Sequence, residues 1–434
     1  MTAEIAILNK NAIALAADSA VTIGARPPHK IFNTAEKLFS LSKYHPVGVM
    51  IYDSATIMGI PWESVIKVYR TSLRKKSFRT LKEYADDFLK FLGMSKSLFP
   101  AAVQVEHFEQ RTAGAFHRIL ENIGERVKSE ISANKSASPT KVKEMVASEI
   151  EAFHKDLMAA RILPHVSRDY FTRLKRRYSA KINKIRAIIF EKIPVSPKHL
   201  RMLSKIAIQI TGRDVFPFEN SGLVIAGFGE TEIFPSVREY QLCSILDGVL
   251  KFKDEREVSI TIDNGAAIIP FAQREMVSAF MEGADPSYQQ AISAYLKGVL
   301  ESYPGELLKQ VSGISDAKRK SLASKFQKIR DKVLEDFKKR TFEFRQKNHI
   351  RPVVTAISFL PKDMLAEVAE SLVNLTSFKR RISLNAPETV GGPIDVAVIS
   401  RGDGFVWIKR KHYFKADLNP HFFKNYFGEH HENA

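Results

Sequence analysis

The sequence predicts an α+β protein, with a strand-built core interrupted by two helical insertions. Two observations lead there. Strand signals joined by tight turns stand at both ends of the 434-residue chain. Between them, strand-like and helix-like stretches alternate in long blocks. That order favours one core carrying insertions over a string of independent domains. The expected divisions are a first core part at 1–106, a basic helical insertion at 107–210 and a middle core part at 211–300. A charged helical insertion at 301–350, a last core part at 351–415 and a tail at 416–434 follow.

Glu4 to Ala17 carries Ile5, Ile7, Leu8, Ile13 and Leu15 around the polar break Asn9-Lys10-Asn11, the pattern of a hairpin. Lys30-Ile31-Phe32 and Leu38 to Leu41 read as a second strand pair turning at Asn33 to Glu36, and Val47 to Tyr52 as a further strand. Pro61 suits the first turn of a helix with Trp62, Val65, Ile66 and Tyr69 on one face. Thr80 and Glu83 have capping-box spacing ahead of the stripe Leu81, Tyr84, Ala85, Phe88 and Leu92. From His107 to Ile210 the pattern is helical, broken at Asn134 to Pro139 and at Pro194 to Pro197. Strands are expected again at Gly222–Gly227, Glu239–Ile245 and Val258–Asp263, then helices at Phe271–Met281, Gln289–Tyr303 and Asp316–Lys347. A last helix spans Pro361 to Phe378. Two closing strands, Pro393–Ser400 and Gly404–Lys409, flank the turn Arg401-Gly402-Asp403-Gly404.

The net charge of +18 suits anionic partners in general and names none. Eleven basic residues against one acidic lie between Arg173 and Lys205, and twelve against five between Asp316 and Lys347. A solvated helical face or a subunit interface is the ordinary reading of such runs. Phosphate contact is the other. The single Cys243 rules out an internal disulfide and fits a reducing compartment. No apolar run is long enough to cross a bilayer, and the N-terminus reads as a first strand, so a cytoplasmic chain without transmembrane anchoring is expected. Gly227-Phe228-Gly229 is too short for a phosphate loop, and no Gly-x-x-x-x-Gly-Lys-Ser/Thr is present, so no intrinsic ATPase is expected. The terminal histidines His421, His430 and His431 match no metal-ligand spacing.

The segment from Ile13 through Ala17-Asp18-Ser19 to Thr22 resembles the opening of proteasome β-type subunits and of the bacterial two-component proteasome-like protease. Lys30-Ile31-Phe32 is similar to the family's lysine-led strand. Gly391-Gly392-Pro393 to Ile399, with Gly402 to Phe405, is similar to its last hairpin. Likeness covers roughly 2–70 and 353–411, and more weakly 222–283. The resemblance implies the N-terminal-nucleophile (Ntn) hydrolase fold, a four-layer αββα sandwich often assembled into rings. The two helical insertions have no counterpart in ordinary subunits.

In catalytic members of that family the nucleophile is an N-terminal threonine, which here corresponds to Thr2 once Met1 is removed. Its own α-amine serves as the base that a hydroxyl needs near neutral pH, which keeps base and nucleophile together. Asp18 follows at the family's spacing, and Lys30 matches the active-site lysine. The resemblance places oxyanion donors among backbone N–H groups near Asp53 and Ser54, where the family has a glycine pair and this chain has Tyr52-Asp53-Ser54-Ala55. Glu388, with one residue of slippage, and Ser278 are candidates for supporting roles; Val390 stands where a family serine is expected. The implied activity is a threonine-type peptidase or amidase that needs no cofactor. It would act on a peptide or protein as a homo-oligomer, with a separate ATP-dependent unfoldase as partner. A catalytically silent scaffold of the same fold, or a nucleic-acid-binding protein using the basic helices, are the alternatives.

Overall fold

The computed structural model describes residues 3–23, 30–216, 220–313, 315–383, 390–421 and 424. The chain divides into two compact units: 1–35, 259–401 and 406–434 form the first, and 36–258 with 402–405 the second.

The first unit opens with the expected hairpin of β1 (Ala3–Asn9) and β2 (Ala12–Ala17). Every residue of both strands is buried. Two-sided burial explains why they read as near-continuous apolar and small residues rather than as an alternation. Asn9 shapes the turn. Its Oδ1 accepts from the N–H groups of Asn11 and Ala12 at 2.9 and 3.2 Å, and its Nδ2 donates to the carbonyls of Ile357 and Leu360 at 3.2 and 2.9 Å. Both acceptor and both donor positions of a fully buried amide are thus used. β3 (Val21–Ile23) and β4 (Lys30–Phe32) then pair antiparallel.

In the second unit, β5 (Leu38–Ser40) pairs with β6 (Val47–Asp53) around a turn in which Ser42 Oγ accepts from the Tyr44 and His45 N–H groups, each at 3.1 Å. This corrects the expected pairing of Lys30–Phe32 with Leu38–Leu41. The buried apolar residues of β5 find a matching buried strand in β6, and β4 pairs back on β3. A small β7–β8 hairpin (Thr56–Ile57, Ile60–Pro61) leads into α1 (Trp62–Leu73), and α2 (Leu81–Met94) starts at the Thr80–Glu83 capping box. Their predicted stripes are buried in one cluster with Val49, Ile51, Leu223 and Tyr240.

Four helices follow: α3 (Ala101–Asn134), α4 (Pro139–Ala159), α5 (Arg168–Ile189) and α6 (Pro197–Gln209). Helix begins six residues before the expected boundary at 107. Ser138, Ser167 and Ser196 cap α4, α5 and α6 by accepting from a backbone N–H of the first turn. The four helices share a core that includes Phe108, Phe116, Ile150, Leu174, Tyr178 and Leu203. β9 (Ser221–Gly227), β10 (Ser236–Leu246) and β11 (Val249–Ser259) complete a five-stranded sheet of order β11-β10-β9-β6-β5.

The chain then returns to the first unit with β12 (Ala266–Ala272), an edge strand antiparallel to β1. The strand expected at Val258–Asp263 is corrected. β11 ends at Ser259, Thr261 and Asn264 close a turn, and Ile262 is 77% exposed. The alternation Val258, Ile260, Ile262 imitates a strand without a partner for its last residue. Helices α7 (Glu275–Glu282), α8 (Pro286–Gln310) and α9 (Asp316–Arg345) follow. α9 passes through a π turn (Gln346–Ile350) into α10 (Arg351–Ser358). α11 (Lys362–Ile382) buries Leu365, Ala369, Leu372 and Val373 in one cluster with Ile5, Ala14 and Val396. β13 (Asp395–Ser400) and β14 (Gly404–Lys409) finish the second five-stranded sheet, of order β12-β1-β2-β13-β14. The protein is therefore mixed α and β with antiparallel pairing, and its long basic stretches are helical.

Candidate functional site

The head of β1 is the most highly organised polar point among the candidate residues. Register places Glu4 opposite Ala17, so Ala3 faces Asp18 just beyond β2. The Asp18 N–H donates to the Ala3 carbonyl at 3.1 Å, and the Ala3 N–H returns a bond to Asp18 Oδ1 at 3.1 Å. Asp18 Oδ2 accepts from Gly391 N–H at 2.9 Å and from Ala20 N–H at 3.4 Å. A side chain with no solvent exposure thus gathers backbone donors from its own turn, from the start of β1 and from Gly391, 373 positions away.

Ser19 continues the seam. Its N–H donates to the Gly391 carbonyl at 3.1 Å and its Oγ to the Pro393 carbonyl at 2.5 Å. Gly392 has φ +77°, and a Cβ there would stand 2.8 Å from the Asn33 carbonyl oxygen. Both facts require glycine. The Gly391-Gly392-Pro393 motif therefore works as a close backbone docking strip beside Asp18.

The other predicted residues fall as follows. Thr2 and Glu388 lie outside the described residues. Lys30 begins β4, opposite Ile23, and its side chain is likewise outside what is described. Asp53 ends β6 with φ +66°, in the left-handed region, opposite Ser221. Ser54 is half-buried, and its Oγ donates to the Thr56 carbonyl at 2.9 Å, closing the turn into β7. The strand leading to them is held firmly. Tyr52 Oη donates to Glu239 at 2.7 Å, and its ring lies over Gly222, where a Cβ would come within 2.0 Å of it. Ser278 is half-buried within α7, its N–H donating to the Arg274 carbonyl at 2.8 Å. Asp18, Ala3 and Gly391 are the residues brought together. Asp53 and Ser54 form a local turn in the second unit, and Ser278 is a helix residue.

Two features escaped the sequence reading. The role of Gly391 as a donor to Asp18 depends on pairing across 373 positions, which no local pattern encodes. Lys37, directly before β5, is only 4% exposed, and its carbonyl accepts from Ile51 N–H at 2.9 Å. Lysines are rarely buried at all, and this one was not singled out from the sequence. Its signal was a lone lysine abutting the apolar Leu38-Phe39. Among the described residues no group of His, Cys, Asp and Glu is placed to hold a metal ion, and no helix is long and apolar enough to cross a membrane.

No family model matches the chain, and no curated protein matches it. Among solved structures the chain matches the Anbu (Gly-1) mutant from Hyphomicrobium sp. strain MC1 over 100% of both chains, at 9% identity and a TM-score of 0.24. A score that low carries no weight for fold or function.

Proposed function

We propose that this chain is a proteasome-like Ntn protein of four-layer αββα type whose Thr2, freed by removal of Met1, is the nucleophile of a peptidase or amidase. The observation that carries this reading is the Asp18 carboxylate. It is fully buried, and it anchors both the Ala3 amide, through which residue 2 joins the chain, and the Gly391 strip. An N-terminal nucleophile needs a fixed attachment point, because misplacement by about 1 Å costs on the order of a hundredfold in rate. In this mechanism the α-amine of Thr2 takes the proton of its own hydroxyl, and the hydroxyl oxygen attacks the substrate carbonyl. The leaving amine departs with that proton, and water then hydrolyses the acyl ester. Lys30 supplies positive charge that lowers the proton affinity of amine and hydroxyl. The helical stretches at 107–210 and 301–350 are insertions that join subunits or receive a partner. The working form is a homo-oligomer served by a separate ATP-dependent unfoldase.

A second reading is a catalytically silent scaffold on the same core. The backbone amides of Ala3, Ala20 and Gly391 that donate to Asp18 favour it, because a carboxylate holding main-chain donors also serves structure alone. Intact mass of the untagged protein, before and after a threonine-directed electrophile, separates the two. Loss of Met1 with one adduct that T2A abolishes supports the hydrolase; retained Met1 with no adduct supports the scaffold.

A further inference from the structure

The four-helix part of the second unit holds a nucleophile, a base and an orienting carboxylate in sequence. Ser196, the N-cap of α6, is exposed, and its Oγ lies 2.7 Å from His199 Nδ1. His199 is 8% exposed, and its Nε2 lies 3.2 Å from Glu151 Oε1 on α4. The same Oε1 also accepts from Lys198 Nζ at 2.6 Å. That ammonium holds the Glu151 carboxyl below its ordinary range, first through this hydrogen bond and then with help from His199.

The hydrogen bonds fix the polarity of the chain. A carboxylate only accepts, so the Nε2 proton points to Glu151 and Nδ1 keeps its lone pair for the serine hydroxyl. A hydroxyl activated by an imidazole that a carboxylate orients is the constellation of nucleophilic acyl transfer, recognised by geometry rather than by sequence order. Ser196 and His199 line a cleft of about 510 Å³ whose apolar wall includes Val146, Ala147, Pro194 and Val195. Pro197 brings no N–H and the His199 amide donates to Ser196 Oγ, so the Lys198 N–H is the first-turn donor of α6 left for an oxyanion.

We propose that Ser196, His199 and Glu151 form a second acyl-transfer site, hydrolysing small carboxylic esters with a short apolar acyl chain. Ser196 Oγ bonds to the ester carbonyl carbon as its proton passes to His199 Nδ1. The carbon–oxygen bond to the leaving alcohol breaks, and that oxygen takes the proton from Nδ1. Water then adds to the acyl carbon and gives a proton to Nδ1. The carboxylic acid leaves, and the proton returns to Ser196. Glu151 is a positioning residue that acts through His199.

The ordinary alternative is that Ser196 only caps α6, since its Oγ also accepts from His199 N–H at 3.4 Å. Ser196→Asn separates the two, because asparagine caps as well as serine and carries no hydroxyl. The test uses full-length protein in a T2A background, a biotinylated fluorophosphonate probe and p-nitrophenyl acetate, with circular dichroism confirming each fold. The expected result is one label per chain on the peptide holding Ser196, absent in S196N, with kcat/KM for the ester lower by about 100-fold or more in S196N and H199Q. E151Q should lower kcat about tenfold with KM unchanged, and E151D should restore most of it. No label on that peptide, or S196N hydrolysing the ester at the parent rate, overturns the proposal.

Discussion

Asp18→Ala is the most informative single change for the fold around the chain's start. The carboxylate accepts from Ala3 N–H at 3.1 Å and Gly391 N–H at 2.9 Å, with Ala20 N–H a weaker third at 3.4 Å. Alanine leaves the two shorter donors buried without this acceptor. Each such donor costs about 1–3 kcal/mol, so the expected loss is about 2–6 kcal/mol. Asp18→Asn falls inside that range, because its amide keeps one acceptor oxygen and turns an NH₂ toward an N–H donor. The loss should be local. Hydrogen exchange followed by mass spectrometry should show peptides covering 3–9 and 390–400 losing protection by at least about thirtyfold, the factor equivalent to 2 kcal/mol. Peptides from α4 and α5 should keep theirs. Protection unchanged within twofold at both segments in D18A would refute the claim that this carboxylate ties the start of β1 to the glycine strip.

Other perturbations test other parts of the molecule. Lys251 is 2% exposed, and its Nζ donates to the carbonyls of Ile210 and Val215; burial pulls its pKa down to about 8 from an ordinary 10.5. The unfolded chain therefore binds more protons than the folded one between those values, so this group makes stability rise with pH there. The gain is about 2 kcal/mol from pH 7 to 9.5, and urea titrations should show K251M lacking that increment. Gly222→Ala sets a methyl 2.0 Å from a Tyr52 ring that is tied to Glu239. It should cost at least about 2 kcal/mol, and Y52A should relieve part of that cost in the double mutant, read by denaturant midpoint. For the proposed hydrolase, T2A should abolish the electrophile adduct seen by intact mass, while K30A should slow its formation by at least about tenfold.

Elements with a local cause are legible in the chain alone. The β1–β2 hairpin follows from two apolar runs around Asn9-Lys10-Asn11. α2 follows from the Thr80–Glu83 box, and the polar breaks at Asn134 to Pro139 and Pro194 to Pro197 mark where α4 and α6 begin. In each case the stabilising group lies within a turn or two of the element it starts, so periodicity and cap chemistry are enough.

Elements and contacts that depend on distant partners emerge only in the folded chain. β12 was hidden because its Ala-Ala-Ile-Ile-Pro-Phe-Ala run becomes a strand only by pairing with β1, more than two hundred and fifty positions earlier. The pairing expected between Lys30–Phe32 and Leu38–Leu41 does not form, because short apolar runs carry no record of which neighbour will accept their hydrogen bonds. Aspartate 18 stood out by its spacing, but its bond to Gly391 could not be read from either segment. The same holds for the Ser196–His199–Glu151 cluster. The serine and histidine are three residues apart, yet the carboxylate that orients the imidazole arrives from another helix, 48 positions away. Local sequence fixes what a segment can form, and packing fixes which groups meet, because a buried polar atom must find its partner wherever the folded chain provides one.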